Sequence, residues 1–206
     1  DLISLVVEEE SRKCEVKNSA FSVAVPPPVI LEIGCGSGAI ALSLLCKIPQ
    51  SRVLAVDKEE AAVDLTRENV HRYKPTYYLF LVNCYLGITR SSAKHLLPWG
   101  PMDFIVSNPP YVFHEDMASL DAEILRYEDL DALDGGDDGM RVIKTILTLA
   151  PTLLKDSGSV FLEVDPRHPA MVEDWLTAQP DLFLTLRAVH KDFCGKPRFL
   201  HIQKQS

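Results

Sequence analysis

The sequence lacks a metal-binding cysteine pattern, a disulfide framework and a long hydrophobic run. Its five cysteines are Cys14, Cys35, Cys46, Cys84 and Cys194. They are widely spaced without a CxxC pair, and the six histidines show no ligand spacing either. This pattern predicts free thiols in a reducing compartment and no metal site. No apolar run has the length of roughly 20 residues that a membrane-spanning helix needs, so we expect no membrane partner.

Positive charge is also scarce. The 206 residues include 29 acidic and 21 basic side chains, which leaves a net charge of −8. An acidic domain binds nucleic acid poorly, because that affinity depends largely on neutralising phosphates, and we therefore expect no direct nucleic-acid substrate. The chain begins at Asp1 in an amphipathic helical pattern, without an initiating Met. This beginning predicts that the sequence is part of a longer protein.

Strand and helix patterns alternate along most of the chain. The predicted strands cover residues 29–33, 52–56, 77–82, 103–106 and 159–164. The predicted helices cover residues 1–12, 39–47, 59–73, 139–155 and 169–178. Residues 14–28 are predicted as a connector, residues 112–137 as irregular, and residues 182–189 and 197–203 as a closing antiparallel pair. This alternation predicts an α/β fold with a mostly parallel sheet, whose ligands bind beyond the carboxyl ends of the strands.

A glycine-rich turn follows the first predicted strand. It has the form Gly34-x-Gly36-x-Gly38, and Asp57 ends the next strand about 20 residues later, where a carboxylate can accept hydrogen bonds from ribose hydroxyls. The spacing differs from the G-x-G-x-x-G of dinucleotide folds, and the preceding Glu32 would repel a pyrophosphate. The pattern favours a cationic, phosphate-free cofactor such as S-adenosylmethionine. The alternatives are a structural role for Glu32 in its strand and a helix-capping role for Asp57.

A second feature is the segment Ser107-Asn108-Pro109-Pro110-Tyr111, which follows a buried strand. The strand stops there because proline has no N–H for the ladder, and the residue before a proline is restricted to extended geometry. Asn108 should therefore stand rigidly at the mouth of the sheet, where its amide can bind another planar NH₂ group. The alternative is a simple Pro-Pro loop in which Asn108 forms a turn.

Three segments, taken together in this order, carry a family resemblance. They are Glu32-x-Gly34-Cys35-Gly36-Ser37-Gly38, Asp57 and Asn108-Pro109-Pro110-Tyr111. The set resembles the HemK/PrmC family of class I S-adenosylmethionine-dependent methyltransferases, which modify the glutamine of the Gly-Gly-Gln motif in peptide-chain release factors. The resemblance covers nearly the whole chain. Two positions depart from the family pattern, because Asp129 stands where the family usually has Pro and Asp165 where it usually has Gly.

The resemblance implies a Rossmann-like fold, S-adenosylmethionine as cofactor, S-adenosylhomocysteine as product and a release factor as protein substrate. It also implies that residues 1–206 form the methyltransferase catalytic domain, in which residues 1–28 are a leading helix and connector. The family's N-terminal helical substrate-recognition domain has no counterpart in this sequence. Within the family, the sequence is most similar to the animal, organellar branch. The resemblance therefore implies a location in the mitochondrial matrix, with the cytoplasm as the alternative. We also expect a monomer.

The resemblance also assigns roles to single residues. The implied catalytic residues are Asn108, Pro109, Pro110 and Tyr111. The Asn108 side-chain oxygen and the Pro109 carbonyl would accept the two hydrogens of the substrate amide, while Tyr111 would form a pocket wall or belong to the core. The implied cofactor contacts are Glu32, Gly34, Cys35, Gly36, Gly38, Asp57, Asn83 and Asn108. Asn83 stands near the position of an adenine-facing Asp in relatives, with Cys84 as the alternative.

Two other functions fit the same residues. A methyltransferase acting on an exocyclic amine of a nucleic-acid base also uses Asn or Asp before Pro-Pro and an aromatic residue, with the base flipped into the pocket. The acidic charge balance and the missing recognition domain with its basic surface argue against it. A non-catalytic module that binds S-adenosylmethionine is the second alternative, and the intact segment from Asn108 to Tyr111 argues against it.

Overall fold

The computed structural model describes residues 1–20, 26–73, 78–83, 96–127 and 129–205. Within these ranges the strands are β1 (Val29–Ile33), β2 (Arg52–Asp57), β3 (Tyr78–Asn83), β4 (Met102–Ser107), β5 (Leu154–Glu163), β6 (Leu184–Lys191) and β7 (Pro197–Lys204). The helices are α1 (Leu2–Ala20), α2 (Ala39–Lys47), α3 (Glu60–Tyr73), α4 (Ala122–Tyr127), α5 (Arg141–Leu153) and α6 (His168–Thr177).

The described strands form one sheet in the order β3-β2-β1-β4-β5-β7-β6. The five strands from β3 to β5 are parallel to one another, whereas β7 runs antiparallel to both β5 and β6. The predicted α/β class, with a mostly parallel sheet and a closing antiparallel pair, is confirmed. The central strands are mostly apolar because helices cover both faces of the sheet.

Side chains on β1 alternate between two hydrophobic clusters, one on each face of the sheet. Leu31 and Ile33 belong to the cluster that also contains side chains of α5 and α6. Ile30 belongs to the other cluster, with side chains of α1 and α2. This period of two is what a strand with both faces buried requires. The packing fixes the register of β1 and therefore the height at which its glycine-rich continuation leaves the sheet.

Two predicted boundaries are wrong. Helix α1 continues to Ala20, although we predicted its end near residue 12 and a connector over residues 14–28. Residues 14–20 contain neither proline nor glycine, so nothing in that segment ends the helix. Strand β5 begins at Leu154 rather than at residue 159, because an excursion at Ser157 and Gly158 interrupts its pairing with β4 and hides the strand pattern.

Short helical segments occupy much of the stretch predicted as irregular. In addition to α4, 3₁₀ turns cover His114–Ser119 and Leu130–Ala132. The Asp129 carboxylate accepts a hydrogen bond from the Asp131 N–H at 3.0 Å and thereby caps the second turn. The HemK/PrmC family usually has Pro at the position of Asp129. Here the capping hydrogen bond of Asp129 stabilises the start of the 3₁₀ turn.

Gly38 sets the distance between α2 and α3. It has φ +78°, and a Cβ built on it would lie 2.6 Å from the Thr66 methyl carbon on α3. The Thr66 hydroxyl in turn donates a hydrogen bond of 3.0 Å to the Gly36 carbonyl. Close approach of α3 to the glycine turn therefore requires a residue without a side chain at position 38.

We expect Gly38→Ala to lower the free energy of unfolding by about 2–4 kcal/mol, from left-handed backbone strain plus the clash with Thr66. Gly100→Ala is the matched control, because Gly100 has φ +81° and a Cβ there meets no described atom within 4 Å. Its cost should be about 1–2 kcal/mol, from backbone strain alone. Urea denaturation measures both variants, and equal losses would contradict the packing argument.

Candidate active site

The ends of three neighbouring strands meet at the carboxyl edge of the sheet. Ile33, the last residue of β1, pairs with Val56 on β2 and with Ser107 on β4. The buried Ser107 hydroxyl donates a hydrogen bond of 2.7 Å to the Ile33 carbonyl and ties the two strand ends together. Residues 34–38, Asp57 and Asn108 therefore leave the sheet at the same level. The three segments thus meet at one edge of the sheet.

The glycine turn is anchored from below and open above. The N–H groups of Gly34 and Cys35 both donate to the Val56 carbonyl, at 2.8 and 3.1 Å. Gly34 and Gly36 have φ of +74° and +52°, and a Cβ on either would meet no described atom within 4 Å. Packing therefore does not demand glycine at these two positions, but the backbone conformation does. The turn presents bare backbone to the space above the sheet.

Asp57 shapes this turn with its carboxylate. Its Oδ2 accepts a hydrogen bond from the Gly36 N–H at 2.9 Å, and its Oδ1 accepts one from the Glu59 N–H at 3.0 Å. The second bond orders the backbone just before α3, but it reaches Glu59 rather than an N–H inside the helix. A carboxylate has about four acceptor sites, and these two bonds leave the others available to a ligand. The side chain is half-buried and reaches the same opening as the turn.

Glu32 lies beneath the turn rather than on its open face. Its side chain is 1% exposed, and its Oε2 accepts a hydrogen bond of 2.9 Å from the Ala41 N–H in the first turn of α2. Burial raises the pKa of Glu32 to about 8, and the negative charge of Asp57 adds to the rise. The structure therefore shows the alternative role, in which Glu32 is a largely protonated structural group joining β1 to α2. The predicted contact of Glu32 with the cofactor stays a prediction, and any such contact starts from beneath the turn.

Cys35 is a core side chain within the glycine turn. Its side chain is 4% exposed and packs in the cluster formed with α1 and α2. Burial raises the pKa of the thiol to about 11, which keeps it protonated at neutral pH. Any contact of Cys35 with a cofactor is therefore left to its backbone, and its N–H already donates to Val56.

Asn108 is exposed at the edge of the sheet, between two anchored neighbours. Ser107 is fully buried before it, and Pro109 is buried after it. Among the described residues, none forms a hydrogen bond with the Asn108 side chain, so its amide oxygen and NH₂ group keep their bonding capacity. Pro110 is half-buried and continues the stiff segment. The arrangement places an unpaired amide side chain on an anchored backbone segment beside the glycine turn.

Tyr111 follows the two prolines at this edge of the sheet. Its ring is half-buried and packs against the cluster that contains α5 and α6, while its hydroxyl donates a hydrogen bond of 3.3 Å to Glu163 Oε1. Burial raises the pKa of Tyr111, and the carboxylate of Glu163 raises it further, so the hydroxyl remains a donor. Glu163 thus holds the Tyr111 side chain at the end of the segment that begins at Asn108.

The loop beyond Tyr111 is fastened to the start of α6, which sequence reasoning missed. The Phe113 ring stacks on His168 with centroids 5.0 Å apart and an angle of 11° between planes. The Arg167 guanidinium lies 3.5 Å from the centroid of the Phe113 ring. The same guanidinium forms an ion pair with Asp116 at 2.5 Å. These contacts fix the loop from two directions.

One sequence signal could have identified this anchor. Asp165 is a departure from the family pattern, and its carboxylate accepts a hydrogen bond of 2.8 Å from Arg167 Nε. An acid two residues before an arginine, at the start of a helix that follows a strand, predicts a local ion pair. What the sequence could not show is that the same arginine reaches Asp116, which lies 51 positions earlier in the chain.

The remaining predicted contacts lie at the β3 end of the edge. Asn83 is the last residue of β3 and pairs with Asp57 in the sheet register, so its backbone is at the level of the site. The Asn83 side chain and all of Cys84 lie outside what the structure describes. Within the described ranges, no group of three or more His, Cys, Asp or Glu side chains could hold a metal ion. No described helix combines the length and apolar character needed to cross a membrane.

The buried Glu32 generates a prediction about pH. Because the folded state holds this proton to a higher pH than the usual pKa of 4.5, the stability from Glu32 is fully present below about pH 4.5 and is lost as pH rises toward 8. We expect the free energy of unfolding of the native chain, relative to Glu32→Gln, to fall by about 1 kcal/mol per pH unit between pH 5 and 8. Gln keeps an acceptor for Ala41. Urea denaturation across this range measures the difference, and a pH-independent difference would contradict it.

Comparison with known proteins identifies the family. Residues 21–127 match the family described as the methyltransferase small domain. The chain is 56% identical over 204 residues to a human protein named MTRF1L release factor glutamine methyltransferase, covering 99% of this chain and 58% of that relative. It is 32% identical over 170 residues to the release factor glutamine methyltransferase of Synechocystis sp., covering 82% of this chain and 54% of that relative. The chain thus spans little more than half the length of these curated relatives.

A solved structure agrees in fold. The protein-(glutamine-N5) methyltransferase (release factor-specific) of Alicyclobacillus acidocaldarius superposes with a TM-score of 0.51 at 22% identity, covering 100% of this chain and 94% of that one. An O-methyltransferase of Bacillus cereus in complex with SAH gives a TM-score of 0.56 at 13% identity, covering 97% of this chain and 91% of that one. The resemblance to release factor glutamine methyltransferases is confirmed by the curated relatives, and the chain belongs to the methyltransferase small-domain family.

Proposed function

We propose that this chain is the catalytic domain of an S-adenosylmethionine-dependent methyltransferase that modifies the glutamine side-chain amide of the Gly-Gly-Gln motif in a peptide-chain release factor. The observation that carries the proposal is the exposed Asn108, held between a buried serine and a buried proline beside an open glycine turn. The names of the human and cyanobacterial relatives support the substrate class.

The open turn fits the proposed cofactor. Gly34 and Gly36 leave free the volume that a Cβ would occupy, and Asp57 has acceptor capacity for ribose hydroxyls. Among the described residues, Asp57 is the acid that reaches this opening, and an acid beside the turn suits a cofactor with a ribose and a positive charge better than one with a phosphate. Asn83, at the level of Asp57, is the proposed adenine contact. When bound there, S-adenosylmethionine supplies an electrophilic methyl group on a sulfonium.

The chemical task of the protein is to orient an unreactive nitrogen. An amide nitrogen is a weak nucleophile because its lone pair is delocalised into the carbonyl. The Asn108 side-chain oxygen and the Pro109 carbonyl accept the two N–H bonds of the substrate amide, which turns the lone pair toward the glycine turn. Holding both bonds in a fixed geometry gives most of its benefit through orientation. The same dipoles favour the positive charge that develops on the nitrogen, and its proton then passes to water.

The stiffness of this segment comes from its neighbours. Pro109 and Pro110 restrict the backbone, and the Ser107 hydroxyl holds the end of β4 against β1. On the far side, the hydrogen bond between Tyr111 and Glu163 fixes the ring that follows the two prolines. The substrate amide therefore meets acceptors that lose little conformational freedom on binding, which is what positional catalysis requires.

Three further properties belong to this proposal. Residues 1–206 act as one catalytic domain, with α1 and the segment up to residue 28 leading into the sheet. The enzyme works as a monomer in the mitochondrial matrix, in line with the resemblance to the animal, organellar branch. Methylation of a nucleic-acid base remains the second candidate chemistry for an Asn-Pro-Pro-Tyr segment, and the net charge of −8 argues against it.

Transfer of a tritiated methyl group tests the substrate. We expect the full-length protein to label an intact release factor and to leave the variant with Ala in place of the motif glutamine unlabelled, because the acceptor nitrogen is then absent. Single-stranded DNA and RNA, assayed in parallel, should remain unlabelled. Label in nucleic acid but not in the release factor would assign the second chemistry. Cofactor binding without any labelled product would support the non-catalytic module.

Asn108→Ala separates orientation from cofactor binding. We expect turnover to fall by about 10²–10³-fold, because one of the two acceptors is lost, while the affinity for S-adenosylmethionine changes little. Asn108→Gln is the matched variant. It keeps the amide but displaces it by one methylene, and it should lose most of the same activity. Calorimetry gives the affinity and methyl transfer at saturating cofactor gives the turnover; lost affinity with normal turnover would show that Asn108 serves the cofactor instead.

A further inference from the structure

The turn that joins β6 to β7, residues 192–196, presents a bare aromatic ring to solvent. The Phe193 side chain is 101% exposed, so it makes no packing contact with the rest of the described chain. Phe183, at the other end of β6, is also prominent but only 61% exposed. Exposure alone does not make a binding contact, because single exposed apolar side chains are common on protein surfaces. What distinguishes Phe193 is the rigid turn that carries it and the position of that turn.

The turn beneath this ring is well ordered by its own bonds. Asp192 Oδ1 accepts hydrogen bonds from the N–H groups of Cys194 and Lys196, at 2.9 and 3.0 Å. The Asp192 N–H donates to the Lys196 carbonyl at 2.9 Å, and the Gly195 N–H donates to the Asp192 carbonyl at 3.0 Å. The backbone at Phe193 is therefore held in one conformation. The ring is presented by a built turn, and its ordering cost on binding is confined to its own side chain.

The turn also lies at the edge of the sheet that carries Asn108. Strand β7 is antiparallel to β5 and pairs Phe199 with Glu163, so β7 begins where β5 ends. The Val164 N–H donates to the Arg198 carbonyl at 2.9 Å and extends this pairing past the strand end. Since neighbouring strands lie about 4.8 Å apart, β7 is roughly 10 Å from β4 along this edge, and β6 roughly 14 Å.

This edge divides into two halves at Asn108. The glycine turn and Asp57 occupy the half formed by β1 and β2, which the proposed cofactor fills. The other half is formed by β5, β7 and β6, and Phe193 projects from it. A protein whose glutamine side chain reaches Asn108 must pass its backbone over the half that the cofactor leaves open. Phe193 stands within a few residues' reach of that path.

We propose that Phe193 is a docking contact for the protein substrate, and that its ring packs on the polypeptide segment that flanks the target glutamine. This inference rests on the proposed function. In a Gly-Gly-Gln motif the glycines have no side chains, so an aromatic ring can lie flat against their backbone and neighbouring apolar groups. The contact supplies binding energy at a distance from the reacting atoms, which an enzyme uses to position its substrate.

The test compares Phe193→Ala with the matched control Phe183→Ala in the full-length protein. Methylation of an intact release factor is measured at saturating S-adenosylmethionine. For Phe193→Ala we expect the KM for the release factor to rise by about tenfold or more, with kcat and cofactor affinity unchanged. Phe183→Ala should keep the native KM, because Phe183 lies at the opposite end of β6, and Phe193→Tyr should retain the contact. Neither exposed position should alter the urea unfolding midpoint by much.

Calorimetric binding of the release factor distinguishes the failure of this inference from failure of the proposed function. If the native protein methylates and binds the release factor and Phe193→Ala does both equally well, the docking contact is wrong and the proposed function stands. If the native protein neither methylates nor binds it, both are overturned. Sedimentation adds one more outcome: a dimer of the native chain that Phe193→Ala dissolves would assign the ring to a second copy and overturn the docking contact.

Discussion

The candidate site depends on the shared register of β1 with its two neighbours. Ile33 pairs with Val56 on one side and Ser107 on the other, and the Ser107 hydroxyl closes the second junction with a buried hydrogen bond to the Ile33 carbonyl. A shift by one residue would reverse every side chain on β1 and separate the glycine turn from Asn108. The alternation of β1 side chains between two hydrophobic clusters opposes that shift. Core packing therefore determines where the glycine turn and Asn108 lie relative to each other.

Around this junction, two acidic side chains hold the main chain of the site through hydrogen bonds. Glu32 joins β1 to α2 from below, and Asp57 holds Gly36 and Glu59 from the side. Their environments differ, because burial raises the pKa of Glu32 to about 8 while Asp57 reaches the opening. The two carboxyl groups, 25 positions apart in the chain, therefore have different roles. The buried one is a neutral hydrogen-bonding group that supports the fold, and the other remains available to a ligand.

Local signals predicted most of the fold and the composition of the site. Proline, glycine and strand patterns placed the ends of β1, β2 and β4 within a residue or two, because each of these signals acts on its own neighbours along the chain. The predictions failed where the deciding interaction is distant. The excursion at Ser157 and Gly158 is compatible with β5 only because β4 pairs on both sides of it. The orientation of Glu32 follows from how α2 returns over β1.

The amino-acid order alone therefore specified an α/β sheet, a glycine turn, an acid after β2 and a stiff asparagine after β4, since strand period and proline chemistry are properties of short segments. Tertiary structure decided which carboxyl is buried, that Arg167 fastens the loop through Asp116, and that the Phe193 turn stands on the same edge as Asn108. These features depend on contacts between residues tens of positions apart in the chain. Burial and pairing at such separations arise only when the strands assemble into the sheet and the helices pack on it.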